Sequence, residues 1–217
     1  MYTLSEENYL KAIYRLSDDG LKASTSAIAA MLENNPASVV DMLKKMKKKR
    51  LIDYDKKSGA QLTTKGHKTA LIVIRKHRLW EFFLHEKLRY SWDEIHEIAE
   101  QLEHIQHPDL ADRLDKFLGF PKFDPHGDPI PQADGKMAKT SKITLSELPA
   151  GRPSQVVGVK DSSVPFLQYL QKLDVGIGTK ITLIETITYD SSLVVKIEKR
   201  SQTTVSRRFA ENIYVQE

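Results

Sequence analysis

The sequence predicts a mainly α-helical protein that ends in a small β module. Apolar residues recur at helical spacing in residues 5–17 and 37–49, as they do in amphipathic helices that bury one face. Two short apolar runs flank the glycine-containing turn at residues 56–59, which predicts a β-hairpin. Several short strand-like runs within residues 143–217 suit a small β-barrel. Helices are therefore expected over most of the chain and strands in its last third.

Length and composition set bounds on the function. A chain of 217 residues suits two or three small domains. No apolar run approaches the roughly 20 residues that a membrane span needs, and the N-terminus lacks the apolar block of a signal peptide. The absence of cysteine excludes disulfides, thiolate catalysis and sulfur-ligated zinc sites. We therefore expect a cytoplasmic protein with no membrane partner.

The first third of the chain has the order of elements of a winged helix-turn-helix. After the first helix, a turn rich in serine and threonine precedes a short helix at residues 27–32. Pro36 is placed at the first position of the next helix, 37–49, where proline is well tolerated. The hairpin at residues 51–63 then forms the wing. This order predicts a domain over residues 1–66 that binds double-stranded DNA.

The charge distribution of the first third also indicates a DNA-binding surface. Residues 1–76 contain 15 Lys/Arg and 8 Asp/Glu, and eight of these cations lie between Lys44 and Lys57. Basic side chains at the end of the motif's second helix and on the wing meet phosphates in such domains. The alternative is a solvated, lysine-rich helix end. The candidate DNA-contacting residues are Thr25, Ser26, Asn35, Pro36, Ala37, Ser38, Asp41, Lys44, Lys56 and Lys57.

Histidine and carboxylate side chains of the middle segment predict a metal site. Six of the seven histidines lie within residues 77–126, and His77 and Glu81 share one face of a predicted helix. A second stripe, on what we predict to be one continuous helix, comprises His96, Glu100, Glu103 and His104. A divalent cation best explains this pattern, because burying such groups without one costs free energy. Nitrogen and oxygen ligands without sulfur favour Mn(II), with Fe(II) as the alternative.

The chain resembles the diphtheria toxin repressor family, which includes the manganese transport regulators. The resemblance spans essentially the whole chain, and it is carried by the stretches SEENYLKAIYRL, KHRLWEFFL, WDEIHEIAEQLEHI and PKFDPHGDPIP. It implies a homodimeric transcription repressor that binds operator DNA of metal-uptake genes, with Mn(II) or Fe(II) as corepressor. It also implies a C-terminal SH3-like β-barrel of the kind found in ferrous-iron transport accessory proteins.

The family's metal ligands can be carried over to the matching positions. The resemblance implies a primary site formed by Asn8, Glu100, Glu103 and His104. It implies an ancillary site formed by His77, Glu81, His96, Asp124, His126 and Asp161. Glu100 stands where iron-responsive members carry a cysteine, which favours the manganese branch. Lys11 stands where some manganese regulators have a ligating glutamate, and Asn8 brings no negative charge. We therefore expect a primary site that is weak or differently used.

The motifs and the resemblance together predict three domains. Residues 1–66 form the winged helix-turn-helix, residues 67–140 a helical metal-binding and dimerisation domain with a proline-rich loop and linker, and residues 141–217 the SH3-like domain. In the last domain, strands are predicted at residues 155–159, 180–188, 193–199 and 213–215, and a helix at 164–173. An excess of apolar side chains in the middle domain predicts a two-fold interface. These side chains are Leu79, Trp80, Phe82, Phe83, Leu84, Leu114, Phe117 and Leu118.

Two other functions stay open on the sequence. One is a DNA-binding regulator of the same fold that has lost metal dependence, because Asn8 and Lys11 weaken the link between the metal and the first helix. The other is a metal-dependent hydrolase, since His/Glu clusters also bind hydrolytic metals. The sequence contains no HExxH motif, nucleophile motif or phosphate-binding glycine loop. We therefore expect a protein that is not an enzyme and that has no small organic substrate.

Overall fold

The chain folds into two compact units, which a computed structural model describes over residues 2–18, 20–139, 141–198, 200 and 202–217. The first unit comprises Met1–His77, Glu100–Phe117 and Pro131–Lys136. The second unit comprises Arg78–Ala99, Leu118–Ile130 and Met137–Glu217. Helices dominate the first unit and a sheet occupies the C-terminal part of the second. The predicted fold class is confirmed.

The first unit begins with the predicted winged helix-turn-helix. Its elements are α1 (Leu4–Asp18), α2 (Thr25–Met31), α3 (Pro36–Lys48), β1 (Ile52–Asp55) and β2 (Gly59–Leu62). The Ser24 side chain accepts a hydrogen bond from the Ala27 amide at 3.1 Å and caps α2. Asn35 caps α3 in the same way, through the Ala37 amide at 2.8 Å. The core of this domain includes Leu10, Ile13, Ile28, Leu43 and Met46.

Gly59 brings the wing close to the turn that precedes α2. Its φ of +84° lies in the left-handed region, and a Cβ at this position would lie 2.7 Å from the Ala23 carbonyl oxygen. The amide of Ala60 donates a hydrogen bond to the same oxygen at 2.9 Å. Nearby, the Tyr54 hydroxyl lies 3.3 Å from Thr25 Oγ1. These contacts fix the position of the wing relative to α2.

Three further helices follow the wing: α4 (Thr64–Glu86), α5 (Ile95–Leu102) and α6 (Leu110–Phe117). The boundary between the units falls inside α4, after His77. Within the first unit, Arg75 of α4 pairs with Asp112 and Asp115 of α6 at 2.6 and 2.7 Å. The sequence analysis did not predict α6 as a helix. Among the described residues, no helix is both long and apolar enough to cross a membrane.

The helix predicted over residues 96–104 is shorter than the spacing of its polar residues suggests. Helix α5 ends at Leu102, and Glu103 and His104 lie in the turn that follows. The Ile105 amide donates a hydrogen bond to the Leu102 carbonyl at 3.2 Å, which closes this turn. Pro108, six residues after Leu102, would in any case disfavour a helix that continued past His107. The prediction of one continuous helical stripe is therefore wrong at its C-terminal end.

The C-terminal part of the second unit contains a six-stranded antiparallel sheet and two short helices. The strands are β3 (Lys142–Thr144), β4 (Pro153–Val159), β5 (Lys180–Thr186), β6 (Leu193–Ile197), β7 (Gln202–Val205) and β8 (Ile213–Gln216). The helices are α7 (Val164–Lys172) and α8 (Arg207–Glu211). The predicted strands and helix agree with β4, β5, β6, β8 and α7 to within a few residues. Strands β3 and β7 and helix α8 were not predicted.

This sheet is open in the described residues, whereas the sequence predicts a closed barrel. The strand order is β3-β8-β4-β5-β6-β7, so that β3 and β7 are edge strands of three and four residues. Closure would require β3 and β7 to pair with each other. Among the described residues, β3 pairs with β8 and β7 pairs with β6, each on one side only. Lys199, at the end of a predicted strand, and Thr140, at a predicted domain boundary, lie outside the described residues. The core includes Leu145, Leu167, Ile181, Val195 and Ile213.

Candidate functional site

Four potential metal ligands meet in the second unit, in a group that we call the loop cluster: Glu81, His96, Asp124 and His126. Glu81 Oε1 lies 3.0 Å from His96 Nδ1 and 3.8 Å from His126 Nδ1. One ligand atom each of Glu81, Asp124 and His126 lies within 4.8 Å of the other two. These three residues are buried, while the His96 side chain is one-third exposed. Glu81 therefore lies beside two imidazoles, and Asp124 lies within ligand distance of Glu81 and His126.

The proline-rich loop after α6 positions Asp124 and His126. Asp124 Oδ1 accepts hydrogen bonds from the backbone amides of His126 and Asp128, both at 2.9 Å. Arg78 Nε of α4 lies 3.5 Å from the other carboxylate oxygen. The same arginine donates a hydrogen bond to the Pro129 carbonyl at 2.6 Å. One oxygen of Asp124 is therefore bonded to the loop backbone, and Arg78 holds the other oxygen and the end of the loop.

Gly127 packs this loop against β4. Its φ is +86°, and a Cβ at this position would lie 2.1 Å from the Val157 carbonyl oxygen. The Val159 amide donates a hydrogen bond to the His126 carbonyl at 3.0 Å. The Trp92 ring lies beside the His126 imidazole, with ring centroids 5.9 Å apart. Strand β4 and Trp92, neither of which the sequence analysis connected with the site, therefore fix the backbone and the ring of His126.

Burial changes the protonation of the loop cluster. It raises the pKa of Asp124 to about 7, an increase to which the charge of Glu81 adds and which Arg78 opposes. Burial lowers the pKa of His126, but the contact with Glu81 outweighs burial and leaves this pKa raised. Two buried carboxylates repel each other unless a positive charge lies close to both. The donor set therefore fits a divalent cation that accepts nitrogen and oxygen ligands, such as Mn(II) or Fe(II).

A second group of charged side chains, the helix-1 cluster, lies in the first unit and comprises Glu7, Lys11, His77, Glu100, Glu103 and His104. Lys11 Nζ donates hydrogen bonds to Glu100 Oε1 at 2.6 Å and to Glu103 Oε1 at 2.7 Å. The other carboxylate oxygen of Glu103 lies 2.6 Å from His77 Nδ1. Lys11 and Glu103 are both buried. A buried network of charges therefore links α1 to α4, to α5 and to the turn after α5.

Helix α1 carries two further polar groups of interest. Glu7 Oε2 lies 2.6 Å from His104 Nδ1, a contact that the sequence analysis missed. Glu7 is four residues before Lys11 and so shares a face of the helix with it, which is the signal that could have identified it. Asn8 Oδ1 is buried and has no hydrogen-bond partner among the described residues. A buried amide oxygen without a partner is a potential ligand for a hard cation.

The predicted metal ligands are thus distributed over two clusters. Glu81, His96, Asp124 and His126 form the loop cluster, and His77, Glu100, Glu103 and His104 belong to the helix-1 cluster. The grouping of His77 with Glu81 and His96, and ligation by Asn8, stay predictions. Asp161 accepts a hydrogen bond from the Ser163 amide at 2.8 Å. Among the described residues, Asp161 does not belong to any group of three or more His, Asp or Glu residues whose ligand atoms all lie within 4.8 Å of one another.

Nine of the ten predicted DNA-contacting residues are exposed, and Thr25 is half-buried. Ser38 and Asp41 lie on the first turns of α3 with their side chains accessible. Asn35 has a structural role that the sequence analysis did not identify, because its side-chain oxygen caps α3. Its amide nitrogen is left to donate to a base. A variant that removes the capping oxygen, such as Asn35→Ala, therefore affects the helix as well as the DNA contact.

Several basic side chains near the wing have partners within the protein. Lys47 donates a hydrogen bond to a backbone carbonyl of β1 at 2.8 Å, and Lys49 pairs with a buried glutamate of α1. The turn between β1 and β2 is held by Asp55, whose carboxylate accepts a hydrogen bond from the Lys57 amide at 2.8 Å. The side chains of Lys56 and Lys57 are exposed on this turn. These two lysines are well placed to contact phosphate.

Three family models match successive parts of the chain. Residues 1–60 match the N-terminal DNA-binding domain of iron-dependent repressors. Residues 63–132 match the metal-binding and dimerisation domain of the same repressors. Residues 143–217 match the FeoA domain. Two of these matches cover the segments that carry the helix-turn-helix and most residues of the two clusters.

Individual relatives agree with these matches. The iron-dependent repressor IdeR of Mycobacterium leprae (strain TN) is 35% identical over 158 residues, which cover 70% of this chain and 69% of that protein. The regulator MntR of Oceanobacillus iheyensis is 35% identical over 124 residues, which cover 57% of this chain and 84% of that protein. A solved manganese-dependent transcriptional repressor in complex with manganese is 29% identical, covers 98% of this chain and 99% of its own, and superposes with a TM-score of 0.89.

The structure of the manganese regulator SloR is 35% identical, covers 98% of each chain and has a TM-score of 0.78. The members of this family are DNA-binding repressors and not enzymes, so the alternative of a hydrolase is wrong. The order of the three matched domains is the order of the three predicted segments. The chain therefore belongs to the family of metal-dependent transcription repressors that includes IdeR, the diphtheria toxin repressor and MntR.

Proposed function

We propose that this protein is a cytoplasmic, homodimeric repressor that binds operator DNA of metal-uptake genes when Mn(II) is available, with Fe(II) as the second candidate metal. The observation that carries this proposal is the loop cluster, in which buried Glu81 lies beside the imidazoles of His96 and His126 and within ligand distance of buried Asp124. The chain contains no cysteine, and a site without thiolate favours the harder ions Mn(II) and Fe(II). The manganese-dependent repressor with the TM-score of 0.89 supports the choice of Mn(II).

The loop cluster would hold the metal through Glu81, His96, Asp124 and His126. A bound divalent cation would place positive charge between the two buried carboxylates, in addition to the guanidinium of Arg78 beside Asp124. Arg78 and the loop amides keep the Asp124 carboxylate oriented before any ligand arrives. Participation of His77 or Asp161 in this site rests on spacing and on the family resemblance.

DNA recognition would use the exposed start of α3 and the wing. Ser38 and Asp41 would face base edges, and Lys56 and Lys57 would contact phosphates. A homodimer would present two such modules to two half-sites. The match to a dimerisation domain supports a dimer, as does Phe117, a member of the predicted apolar interface that is 66% exposed.

A gel shift tests the proposal as a whole. We expect the protein to bind a promoter fragment of a metal-uptake gene when Mn(II) is added and to release it when a chelator is added. Light scattering of the protein–DNA complex should give a mass that corresponds to two protein chains on each operator with two half-sites. Zn(II) serves as a comparison ion, because the Irving–Williams order lets it bind nitrogen and oxygen sites without being the physiological ion. Failure to bind any such promoter with metal present would contradict the proposed function.

A regulator of the same fold that does not need metal is the second candidate function. The observation that favours it is Lys11, whose ammonium bonds two of the predicted ligands of the primary site. In this case the gel shift would show the same affinity in chelator and in Mn(II). The two candidates therefore differ in one measurement.

Replacing Lys56 and Lys57 by alanine should weaken binding to operator and random DNA alike. Each lost phosphate contact should reduce the slope of log affinity against log salt by about 0.9. Fluorescence anisotropy over a salt series measures this slope. The double variant Lys160→Ala/Lys180→Ala removes two exposed lysines of the C-terminal domain and serves as the control. A slope that is equal in the wing variant and in the wild type would show that the wing does not contact phosphate.

A further inference from the structure

His104 belongs to the helix-1 cluster, but no helix fixes the direction of its ring. Helix α5 ends at Leu102, and His104 lies in the turn that follows. A side chain in a turn lacks the neighbours three and four residues away that line a helix face. Any fixed orientation of this imidazole must therefore come from contacts with other parts of the chain.

Glu7 of α1 provides such a contact. Its Oε2 atom lies 2.6 Å from His104 Nδ1. Its Oε1 atom accepts a hydrogen bond from Gln106 Nε2 at 3.4 Å, and the same nitrogen donates to the Tyr2 carbonyl at 2.7 Å. Glu7 is buried, with 5% of its surface exposed. Both oxygens of this carboxylate are therefore engaged, and the carboxylate itself is held in place.

The contact with Glu7 determines which nitrogen of His104 is available to a cation. An ionised carboxylate only accepts hydrogen bonds, so in the neutral imidazole the proton lies on Nδ1 and Nε2 keeps its lone pair. His104 Nε2 lies 3.5 Å from Glu103 Oε1, the oxygen that also accepts a hydrogen bond from Lys11. The lone pair of His104 therefore faces the buried carboxylate of the cluster.

The helix-1 cluster can accept a cation beside the Lys11 ammonium. Ligand atoms of His77, Glu100 and Glu103 lie within 4.8 Å of one another, and Lys11 bonds only one oxygen of each glutamate. The cluster contains three carboxylates and a single ammonium, so a negative charge remains when the carboxylates are ionised and the histidines are neutral. Asn8 Oδ1 adds a buried oxygen that has no hydrogen-bond partner among the described residues. These groups fit a hard divalent cation.

We propose that Glu7 is the positioning residue for His104 in a metal site of the helix-1 cluster. The hydrogen bond from Nδ1 to Glu7 holds the ring in the tautomer that presents Nε2 as the ligand atom, as outer carboxylates do for histidine ligands in other metal sites. Glu7 also supplies a negative charge beside Asn8, which has none. The inference rests on the proposed metal dependence of the repressor. It makes α1 a determinant of metal affinity through a residue that does not itself bind the ion.

The tautomer of His104 in the metal-free protein tests the positioning role directly. Long-range proton–nitrogen correlation spectra of the full chain with isotope-labelled histidine, recorded at about pH 8, distinguish the two neutral tautomers, and His104→Gln identifies the signals of His104. We expect the proton on Nδ1 in the wild type and in Glu7→Gln, whose amide oxygen still accepts a hydrogen bond. In Glu7→Leu the remaining carboxylate neighbour is Glu103, so the proton should move to Nε2. The same tautomer in the wild type and in Glu7→Leu would overturn the inference.

The Mn(II) affinity of the helix-1 cluster tests the consequence for metal binding. Glu81→Gln weakens the loop cluster, so the ion that binds most tightly in this background reports on the helix-1 cluster. Adding Glu7→Gln should weaken that binding by about 10- to 100-fold, the range seen when an outer partner of a ligating histidine is removed. Glu6→Gln is the matched control, because Glu6 is the neighbouring buried carboxylate of α1 and pairs with Lys49 of α3 instead. It should leave the affinity unchanged.

Two results of the Mn(II) titrations count against Glu7 as the positioning residue. If the Glu81→Gln background binds no Mn(II), the helix-1 cluster holds no ion and the inference is wrong. If Glu6→Gln and Glu7→Gln lower the affinity equally, the packing of α1 and not the hydrogen bond to His104 determines metal binding, which also overturns it. The proposed function fails in a different way, since the wild type would then not bind the promoter in Mn(II), whichever tautomer His104 adopts.

Discussion

Replacing Glu81 by glutamine should weaken Mn(II) binding to the loop cluster by at least about 100-fold. Removing a residue that only supports a metal ligand already lowers the affinity by up to about 100-fold, and Glu81 is itself a proposed ligand. Glu81 Oε1 lies between two imidazoles, 3.0 Å from His96 and 3.8 Å from His126. The glutamine keeps the size of the side chain and removes its negative charge. Calorimetric titration with Mn(II) measures the loss of affinity, and a gel shift across a Mn(II) series should show a matching rise in the metal needed for DNA binding.

Glu97→Gln is the matched control for this variant. Glu97 lies on α5 in the same unit, is exposed, and undergoes the same chemical change. It should bind Mn(II) and DNA as the wild type does. If Glu81→Gln and Glu97→Gln titrate alike, the loop cluster is not the metal site and the ligands must be sought elsewhere.

Lowering the pH from about 8 to about 6 should weaken Mn(II) binding by at least about tenfold for each unit below pH 7, because each ligand must lose its proton to bind metal. Burial raises the pKa of Asp124 to about 7, so this carboxylate becomes protonated within that range. The raised pKa of His126 adds a second proton that competes with the metal. Titrations at four or five pH values measure the trend. An affinity that is constant between pH 8 and pH 6 would contradict the prediction, because this range extends roughly one unit to either side of the Asp124 pKa.

The same carboxylate should affect the stability of the metal-free protein in a defined direction. The pKa of Asp124 is higher in the folded state than its ordinary value of 3.8, so the folded state holds the proton more tightly. The resulting stabilisation is complete below pH 3.8 and is lost as the pH rises through about 7. Urea unfolding in chelator should therefore show Asp124→Asn losing less stability than the wild type over this range.

Local patterns identified the elements that have a strong signal of their own. Helices α1 and α3 have clear apolar periodicity, and α3 also has a cap and a proline at its start. Helix α6 is short and half of its residues are charged, and β7 consists of Gln202, Thr203, Thr204 and Val205. The apolar residues of α6, Leu110, Leu114 and Phe117, recur at helical spacing, but over only two turns, and β7 is too short for an alternation of its own. Their stability comes from packing and pairing with distant parts of the chain, which a local pattern does not contain.

The composition of the site was easier to predict than its contacts. Spacing along the chain identified His77, Glu81 and the acidic stripe on α5. The bond between Lys11 and Glu103 joins residues 92 positions apart, and the bond between Glu7 and His104 joins residues 97 positions apart. Both side chains of α1 lie outside its apolar stripe, so periodicity predicts them to be solvated. Their burial became visible only once α1 was placed against the turn after α5.

The contact of Gly127 with β4 restricts how this protein can change during evolution. At Gly127, the loop that carries Asp124 and His126 has no room for a side chain next to the Val157 carbonyl. The His126 carbonyl of this loop also accepts a hydrogen bond from the Val159 amide. The C-terminal module therefore supplies the surface against which two metal-binding side chains are ordered. Exchanging that module for another, or losing it, would change the metal site even though every ligand in it remained encoded. In this protein, a change of the C-terminal module is therefore also a change of the metal site.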